Sequence, residues 1–269
     1  MLSKKMTALG VTLLSATALS FTYLYASNPS NQTLKPNVVY SANPAMTTLI
    51  SNTSVPEYMQ VDPKLETYYI EQTRDALSQY LNVIPEITLQ PVVFVVNENF
   101  ANAEKAYWDQ SIQEEYEQGK LTAKEYDIFL KRNEQIKTNT LNTLSALNHD
   151  YVNCQFNDET GTSVYSAIFN ANTKELIDLV RYDSFNEEKI LNIDLQKYEK
   201  LGLDFINQHQ LGDLQDPQII ESCGNSTVRV ICQDSKDPSK KVMLDINPAT
   251  HTVFGFSTKS YVSLRISED

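Results

Sequence analysis

Two stretches of the chain share one pattern and decide the fold. VNCQFNDETGTSVYSAIFNANTKELIDL runs from Val152 to Leu179, and VICQDSKDPSKKVMLDINPATHTVFGF runs from Val230 to Phe256. Each contains Cys-Gln, a valine ten positions after the cysteine, and an Asn-x-x-Thr turn followed three positions later by an apolar residue. Apolar runs separated by Asn, Asp and Gly turns are typical of β-hairpins. We therefore interpret the two stretches as one small module that is used twice.

The matched positions extend over most of both stretches. They pair Cys154 with Cys232, Gln155 with Gln233, Val164 with Val242, Asn170 with Asn247, Thr173 with Thr250, and Leu176 with Val253. The distance from the valine to the asparagine differs by one residue between the copies. A β-bulge would absorb this difference, because it inserts one extra residue into one strand of a pair.

A helix is predicted before each set of strands. Asp62 followed by Pro63 is a helix start, and apolar residues recur at helical spacing from there to about Asn82. The second helix is predicted over Glu187–Gln208. The predicted strands are 87–96, 151–156, 163–170 and 176–181 in the first copy, and 218–223, 227–233, 240–246 and 252–257 in the second. Asp245, between two apolar residues, predicts a sheet with one solvent-exposed face.

A helical hairpin interrupts the first copy. The first of its helices is predicted over Asn97–Gln118 and ends at Gly119, while the second begins with the capping box of Thr122 and Glu125 and continues to about Asn148. The residues predicted to face a core on the first helix are Phe100, Ala103, Tyr107 and Ile112. The predicted fold class is α+β: tandem modules of a helix and a small antiparallel sheet, with an inserted helical hairpin, preceded by an N-terminal membrane helix.

The first residues of the chain indicate export. Lys4 and Lys5 precede an uncharged apolar run at Met6–Ala26, which is long enough to cross a membrane as a helix. Its length favours a retained anchor, whereas the Ala16-x-Ala18 pattern suits a cleaved signal peptide. Both alternatives place the rest of the chain outside the cytoplasm. The expected organisation is a signal peptide or anchor at 1–26, a flexible linker at 27–62, a first module at 63–182 with the hairpin at 97–148, and a second module at 183–269.

Composition argues against several classes of function. The formal net charge of −12 disfavours nucleic acid as a partner, because the phosphate backbone is itself negative. The chain has only 7 glycines and no G-x-G, so a phosphate-binding loop is not indicated. We expect no cofactor. The expected partners are another envelope protein and, through residues 6–26, the membrane.

Neither the cysteines nor the histidines indicate a metal site. Cys154, Cys223 and Cys232 are too few for a disulfide framework, and their oxidation state stays open. The three histidines, at 149, 209 and 251, are isolated in the sequence and lack partners at the spacing of a zinc site. We therefore predict no metal ligands.

The remaining candidates for chemistry are acidic or aromatic. Glu114, Glu115 and Glu117 cluster on a predicted helix, where a solvated face is the expected interpretation. Weak Ca²⁺ binding is the alternative interpretation of two turns, one with Asp158 and Glu159 and one with Asp234 and Asp237. Trp108 with Tyr107 is either part of a core or an exposed contact point. No catalytic residue is assigned.

The closing hairpin resembles that of PepSY domains. The stretch KKVMLDINPATHTVFGF is similar to their strand, Asp/Asn-x-x-Thr-Gly turn and apolar strand, and YSAIFNANTKELIDLV resembles the same hairpin. The resemblance covers 187–257 and extends to a second copy at 146–181. Lys174 and His251 stand where the family has glycine, so each would be strained if it kept a positive φ. The resemblance implies extracytoplasmic binding, inhibition or regulation, and no catalytic residues.

These observations favour a non-enzymatic binding or regulatory protein of the bacterial cell envelope that acts through protein contacts. The alternatives are a secreted hydrolase with a carboxylate active site and a membrane-anchored regulator of sporulation or germination. An enzyme requires acids that converge in a pocket and have perturbed pKa values, whereas a binding protein requires exposed apolar residues or an open sheet edge.

Overall fold

The computed structural model describes residues 61–84, 90–157, 163–183, 193–224, 226–259 and 261–262. The helices in this part of the chain are α1 (Pro63–Leu81), α2 (Glu98–Glu117), α3 (Ala123–Leu147) and α4 (Leu195–His209), with a short 3-10 turn at Leu211–Asp213. The strands are β1 (Gln90–Val96), β2 (Tyr151–Asn157), β3 (Ser163–Asn170), β4 (Leu176–Asp183), β5 (Pro217–Gly224), β6 (Val228–Asp234), β7 (Lys241–Asn247) and β8 (Thr252–Thr258).

The eight strands form one antiparallel sheet in the order β1-β2-β3-β4-β8-β7-β6-β5. The predicted α+β class is therefore confirmed, and each copy supplies four strands in sequence order. The structure differs from the expectation of two separate small sheets, because the last strand of one copy pairs with the last strand of the other. The predicted division into domains at 62/63 and 182/183 stays a prediction.

The join between the two copies has approximate two-fold symmetry. In the β4–β8 pair, Leu179 lies opposite Phe256, Asp178 lies opposite Ser257, and Val180 lies opposite Gly255. If Asn170 is aligned with Asn247, then Leu179 aligns with Phe256, the residue that lies opposite it. The same alignment places the Asp178–Ser257 pair on the Gly255–Val180 pair. An axis that relates the copies therefore passes through the Leu179–Phe256 pair.

The Asn-x-x-Thr turns have the same geometry in both copies. The Asn170 side chain accepts from the backbone N–H groups of Asn172 and Thr173 at 2.8 and 3.0 Å. Asn247 accepts in the same way from Ala249 and Thr250 at 2.9 and 3.3 Å. A β-bulge lies at the equivalent place in each hairpin, between Ile168 and Phe169 and between Asp245 and Ile246. The predicted repeat is confirmed at these turns.

The residue after each threonine has the left-handed backbone conformation that glycine favours. Lys174 has φ of 62° and His251 has φ of 57°. Their backbone N–H groups close the turns on the carbonyls of Asn170 and Asn247, both at 2.8 Å. Since a side chain in this region carries conformational strain, the turn geometry holds in both copies without the residue that favours it most.

The upstream half of the predicted repeat is out of register. Cys154 pairs with Ala167, whose counterpart in the second copy is Leu244, and Leu244 pairs with Val230. Val230 is therefore the structural counterpart of Cys154, and the match to Cys232 is wrong by two residues. The predicted bulge explanation is also wrong, because both copies carry a bulge at the same place. A shift of two leaves a residue on the same face of a strand, so the apolar pattern does not reveal it.

Helices α1 and α4 cover the same face of the sheet. Tyr80 of α1 contacts Phe256 with ring centroids 5.1 Å apart, and Phe256 lies opposite Leu244 on β7. A Cβ atom on Gly202 of α4 would lie 3.3 Å from the Leu244 side chain. Because directly opposite residues share a face, both helices pack on this one. Gly202 is buried and lets α4 approach the strands closely, which explains a glycine in the middle of a helix.

Helices α1 and α3 begin at the capping residues that the sequence predicts. Asp62 caps α1 by accepting from Lys64 N–H at 2.8 Å, and Thr122 and Glu125 make the predicted capping box of α3. The second module's helix begins at Leu195, not at the predicted Glu187. Its predicted first residues, 187–192, lie outside the described part of the chain.

The opposite face of the sheet is buried as well. Asp245, predicted to face solvent, is 2% exposed and pairs with Arg229 at 3.3 Å. Ser257 donates to Asp178 at 2.5 Å on the same face. The expectation of one solvent-exposed face is therefore wrong for these strands. Polar residues occupy this face because each finds a hydrogen-bonding partner there.

The helical hairpin α2–α3 belongs to a compact unit at Val95–Asp150, and the sheet with α1 and α4 forms the other unit. Within the described residues, no helix has the length and apolar character needed to cross a membrane. The predicted anchor or signal at 1–26, and the predicted linker up to residue 60, lie outside the described part of the chain.

Candidate functional site

The helical hairpin contains a cleft between its two helices. The cleft is lined by Ala101, Glu104, Lys105 and Trp108 of α2 and by Asn133, Ile136 and Lys137 of α3. This lining combines apolar surface with several polar and charged groups, and convergent polar groups are typical of sites that receive a ligand or a partner side chain. The cleft is therefore the leading candidate for a functional site in this unit.

Glu104 is the most unusual residue of the cleft. Its side chain lies on the buried face of α2 and the residue is 6% exposed. Burial raises the pKa of the Glu104 carboxyl to about 7, because the ionised form loses its hydration. Within the described part of the chain it makes no hydrogen bond and no ion pair. A carboxyl that titrates near neutrality and faces a cleft is a typical feature of a functional site.

The other charged groups beside the cleft are mostly paired. Asp109 accepts from Lys105 at 2.5 Å and from the Asn133 side chain at 2.9 Å. Lys105 also lies 3.4 Å from Glu134. These pairs tie α2 to α3 and hold the walls of the cleft in place. Lys137 has no ion pair among the described residues, so its ammonium stays available to solvent.

An aromatic cluster lies farther along the hairpin, toward its turn. Buried Ile112 and Leu121 form its centre, and three partly buried aromatic side chains pack against them: Trp108, Tyr126 and Phe129. Tyr116 stacks on Tyr126 with ring centroids 4.7 Å apart. Trp108 therefore packs on this core, as one of its two predicted alternatives states, and it also lines the cleft. Its role as a contact point stays a prediction.

The hairpin also exposes large apolar side chains. Tyr107 is 47% exposed and Ile128 is 52% exposed. The prediction that Tyr107 faces a core is wrong. The buried face of α2 follows Phe100, Ala101, Glu104 and Ile112, with Ala103 only half-buried. Glu104 was not predicted to be buried, because the predicted core face contained its neighbour Ala103 instead. A single acid four residues from both Phe100 and Trp108 was the signal that could have found it.

The acidic residues singled out on α2 make local contacts or face solvent. Glu114 and Glu117 are exposed and accept hydrogen bonds from glutamines one turn earlier on α2, and Glu115 is half-buried. Asp158 and Glu159 lie outside the described residues. In the sheet, buried Asp178 and Asp245 each have their own donor, as described above. These hydrogen bonds stabilise the fold.

Asp234 organises a loop through its carboxylate. Burial by itself would raise the pKa of its carboxyl, but hydrogen bonds from four backbone N–H groups lower that pKa to about 2. Three of the donors, Asp216, Lys236 and Asp237, lie at 2.8 to 3.2 Å, and Gln215 is the fourth. Asp237 accepts separately from the backbone N–H of Ser239 at 3.1 Å and from its hydroxyl at 2.6 Å, so both carboxylates of the candidate Ca²⁺ turn accept hydrogen bonds from the backbone.

Histidines and cysteines occupy separate places. His149 contacts the carbonyl of Asp150, His209 packs on Tyr80, and His251 lies 2.9 Å from the Tyr198 hydroxyl. All three cysteines are free thiols. Cys154 and Cys232 are buried, which raises the pKa of each to about 12, and Cys223 is exposed on β5. Among the residues that the structure describes, no group of three His, Cys, Asp or Glu side chains could hold a metal ion.

Comparison with known proteins gives little further identification. No family model matches the chain, and no curated protein matches it. Among solved structures, the chain is similar to the Bacillus megaterium YpeB C-terminal domain, with a TM-score of 0.38 and 10% sequence identity. That alignment covers 76% of this chain and 66% of the other, so the chain spans just under two thirds of that structure's length.

Proposed function

We propose that this chain is a non-enzymatic protein of the bacterial cell envelope that binds another protein through its helical hairpin. The observation that carries the proposal is the exposure of Tyr107 and Ile128 on the hairpin, beside a cluster rich in aromatic residues. Aromatic side chains are enriched at protein interfaces because they bury much apolar area for little conformational entropy. An inserted unit of two capped helices is a rigid platform for such a contact.

The N-terminal run at 6–26 would hold the binding unit outside the cytoplasm, either at the membrane or after secretion. The PepSY-like hairpins of the sheet support the same proposal, since that resemblance implies binding or regulation. A regulator of sporulation or germination is the narrower form of this function. In all of these forms the sheet is the scaffold and the hairpin makes the contact.

Recovery of a partner from detergent-solubilised membranes tests the proposal. The full-length tagged chain is compared with Ile128→Ser on α3 and with Ile220→Ser on β5. The two isoleucines are 52% and 49% exposed, so the second variant is a matched control away from the hairpin. We expect Ile128→Ser to reduce partner recovery and Ile220→Ser to leave it unchanged. Failure to recover any partner, or equal loss in both variants, would contradict the proposal.

A secreted hydrolase is the second candidate, and Glu104 is the observation that favours it. A carboxyl with a pKa of about 7 suits a general acid at neutral pH. Hydrolysis of peptides or glycans by the purified chain, abolished by Glu104→Gln, would reverse the order of the two candidates. The binding proposal takes precedence because no second acid of the hairpin is left unpaired in the cleft.

A further inference from the structure

We infer that the cleft of the hairpin receives a lysine or arginine side chain of the partner protein, with Glu104 as its counter-ion and Trp108 beside its charge. This inference rests on the proposed function and names the chemistry of the contact. It starts from Glu104, a residue that is 6% exposed, lines the cleft, and makes no hydrogen bond or ion pair with the described residues. An unpaired buried carboxyl gains more from an incoming cation than an exposed one does.

The lysines that line the cleft leave the Glu104 carboxyl available to a cation from another molecule. Lys105 is the adjacent cation on α2, and Asp109 and Glu134 already engage it at 2.5 and 3.4 Å. Lys137 lies on α3 and is only half-buried, so its ammonium keeps part of its hydration. Neither of the two cations that line the cleft is therefore committed to Glu104, which is the most deeply buried of the charged residues lining it.

The walls of the cleft suit a long basic side chain. Ala101 and Ile136 offer apolar surface to an aliphatic stem, and the indole of Trp108 offers a π-face to the charged end.

The charge of the whole unit favours the same kind of partner. Residues 95–150 contain ten acidic and six basic side chains. Complementary charge speeds association and excludes partners of the wrong sign. A carboxylate ligand would have to approach Lys137 beside Glu104 and within a negative field. The structure therefore favours a basic segment over an acidic one.

The test uses the fluorescence of Trp108, which is the single tryptophan of the chain and lines the cleft. The full-length chain in detergent is titrated with Ac-Gly-Lys-Gly-amide, Ac-Gly-Arg-Gly-amide and Ac-Gly-Glu-Gly-amide, and is excited where tyrosine does not absorb. We expect saturable changes with the two basic peptides. Glu104→Gln should weaken them about tenfold or more, because a charge-assisted pair is lost. Glu117→Gln, exposed on the same helix, should leave them unchanged.

A pH series adds a readout that a structural role of Glu104 would not produce. Ionised Glu104 binds the cation, so affinity for the lysine peptide should rise about tenfold between pH 6 and pH 8. The other charged groups of the cleft region are Lys105, Asp109, Glu134 and Lys137. Glu104→Gln should abolish the rise.

Outcomes distinguish this inference from the proposed function. Binding of the acidic peptide, or equal affinities of the wild-type and Glu104→Gln chains for the basic ones, would overturn the inference while a recovered partner would still support the binding function. Binding of the basic peptides with the expected pH dependence, but no partner from membranes, would support the cleft and count against the proposed function.

Discussion

Glu104 shows how one residue can set the character of a surface. It lies where the buried face of α2 would otherwise carry an apolar side chain, and the hairpin supplies no partner for it within the described residues. Burying a carboxyl without a partner disfavours its ionised form, and the resulting rise in pKa costs stability whenever the pH forces ionisation. Retaining an acid at such a position is understandable if its charge is used in a contact.

The pH dependence of the free energy of unfolding tests whether the Glu104 carboxyl is buried without a partner. Its pKa rises from 4.5 in the unfolded chain to about 7 in the folded one, so between these values the folded state binds more protons. The free energy of unfolding should therefore fall as the pH rises through this window, by about 3 kcal/mol in total. Urea unfolding at pH 4, 6 and 8 should show a loss in the wild type that Glu104→Gln lacks.

Glu117→Gln is the control for that series, because Glu117 is exposed on the same helix. It should follow the wild-type curve. Parallel curves for Glu104→Gln and the wild type would show that Glu104 ionises as it does in the unfolded chain. Such a result would also remove the basis for its role in the cleft.

Single residues were predictable from the sequence where local chemistry decides their role. Asp62, Thr122 and Glu125 were recognised as caps because capping depends on residues two or three positions apart. Glu104 was missed because its environment depends on which side of α2 faces α3. A rotation of the helix by one residue exchanges Tyr107 for Trp108, and both are aromatic, so the pattern alone does not distinguish them.

The hairpins that end each copy are the elements in which the duplication is clearest. Asn170 and Asn247 each satisfy two backbone N–H groups of their own turn, and each turn closes on a residue with positive φ. Two strained residues are maintained because the surrounding hydrogen bonds determine the turn. The half-buried asparagines therefore stabilise the turns that join their strands.

Removing either asparagine side chain should cost a similar amount. Asn170→Ala and Asn247→Ala should each lower the free energy of unfolding by about 1–2 kcal/mol, since two backbone N–H groups lose an acceptor. Asn172→Ala, in the same turn but with an exposed side chain, should change it by less than about 0.5 kcal/mol. Chemical denaturation of the variants measures the effect. A large cost at one asparagine and none at the other would argue against equivalent turns.

At the scale of elements, the sequence predicted nearly all strands of both copies, because turn residues bracket short apolar runs. It failed on the register between copies. Cys154 and Cys232 look equivalent, yet Val230 is the counterpart of Cys154. Since both cysteines are buried on the helix-covered face, neither burial nor alternation separates the correct alignment from one shifted by two.

The two copies behave as one body at the scale of the sheet, because β4 pairs with β8. Phe256 lies at this join, opposite Leu179 and in contact with Tyr80 of α1. Tyr80 in turn packs on His209 near the end of α4. Residues of both helices therefore meet near the approximate axis that relates the copies.

Truncation at this join should weaken both copies together. Phe256→Ala should lower the free energy of unfolding by about 3–5 kcal/mol, because it leaves a cavity in the centre of the core. Hydrogen exchange should then show lower protection in β2 and β3 as well as in β6 and β7. Ile220→Ala on β5 should have little effect on either set. Loss of protection confined to residues 217–258 would show that the modules fold independently.

The join itself was not predictable from the sequence. Strands β4 and β8 are similar in composition. No local feature of the sequence indicates whether their free edges pair with each other. Their pairing depends on contacts between segments that are distant along the chain. The repeat pattern predicted two similar units, and tertiary packing decided that they share one sheet.

The pairing of β4 with β8 also limits the number of sites at which foreign strands can attach. Two independent four-stranded sheets would present four outer strands with free backbone groups, whereas the merged sheet ends only at β1 and β5. Pro91 and Pro217 lie at the start of these two strands and remove a donor from each. Duplication by this route doubles the folded surface while halving its exposure to the edge-to-edge association from which aggregates grow.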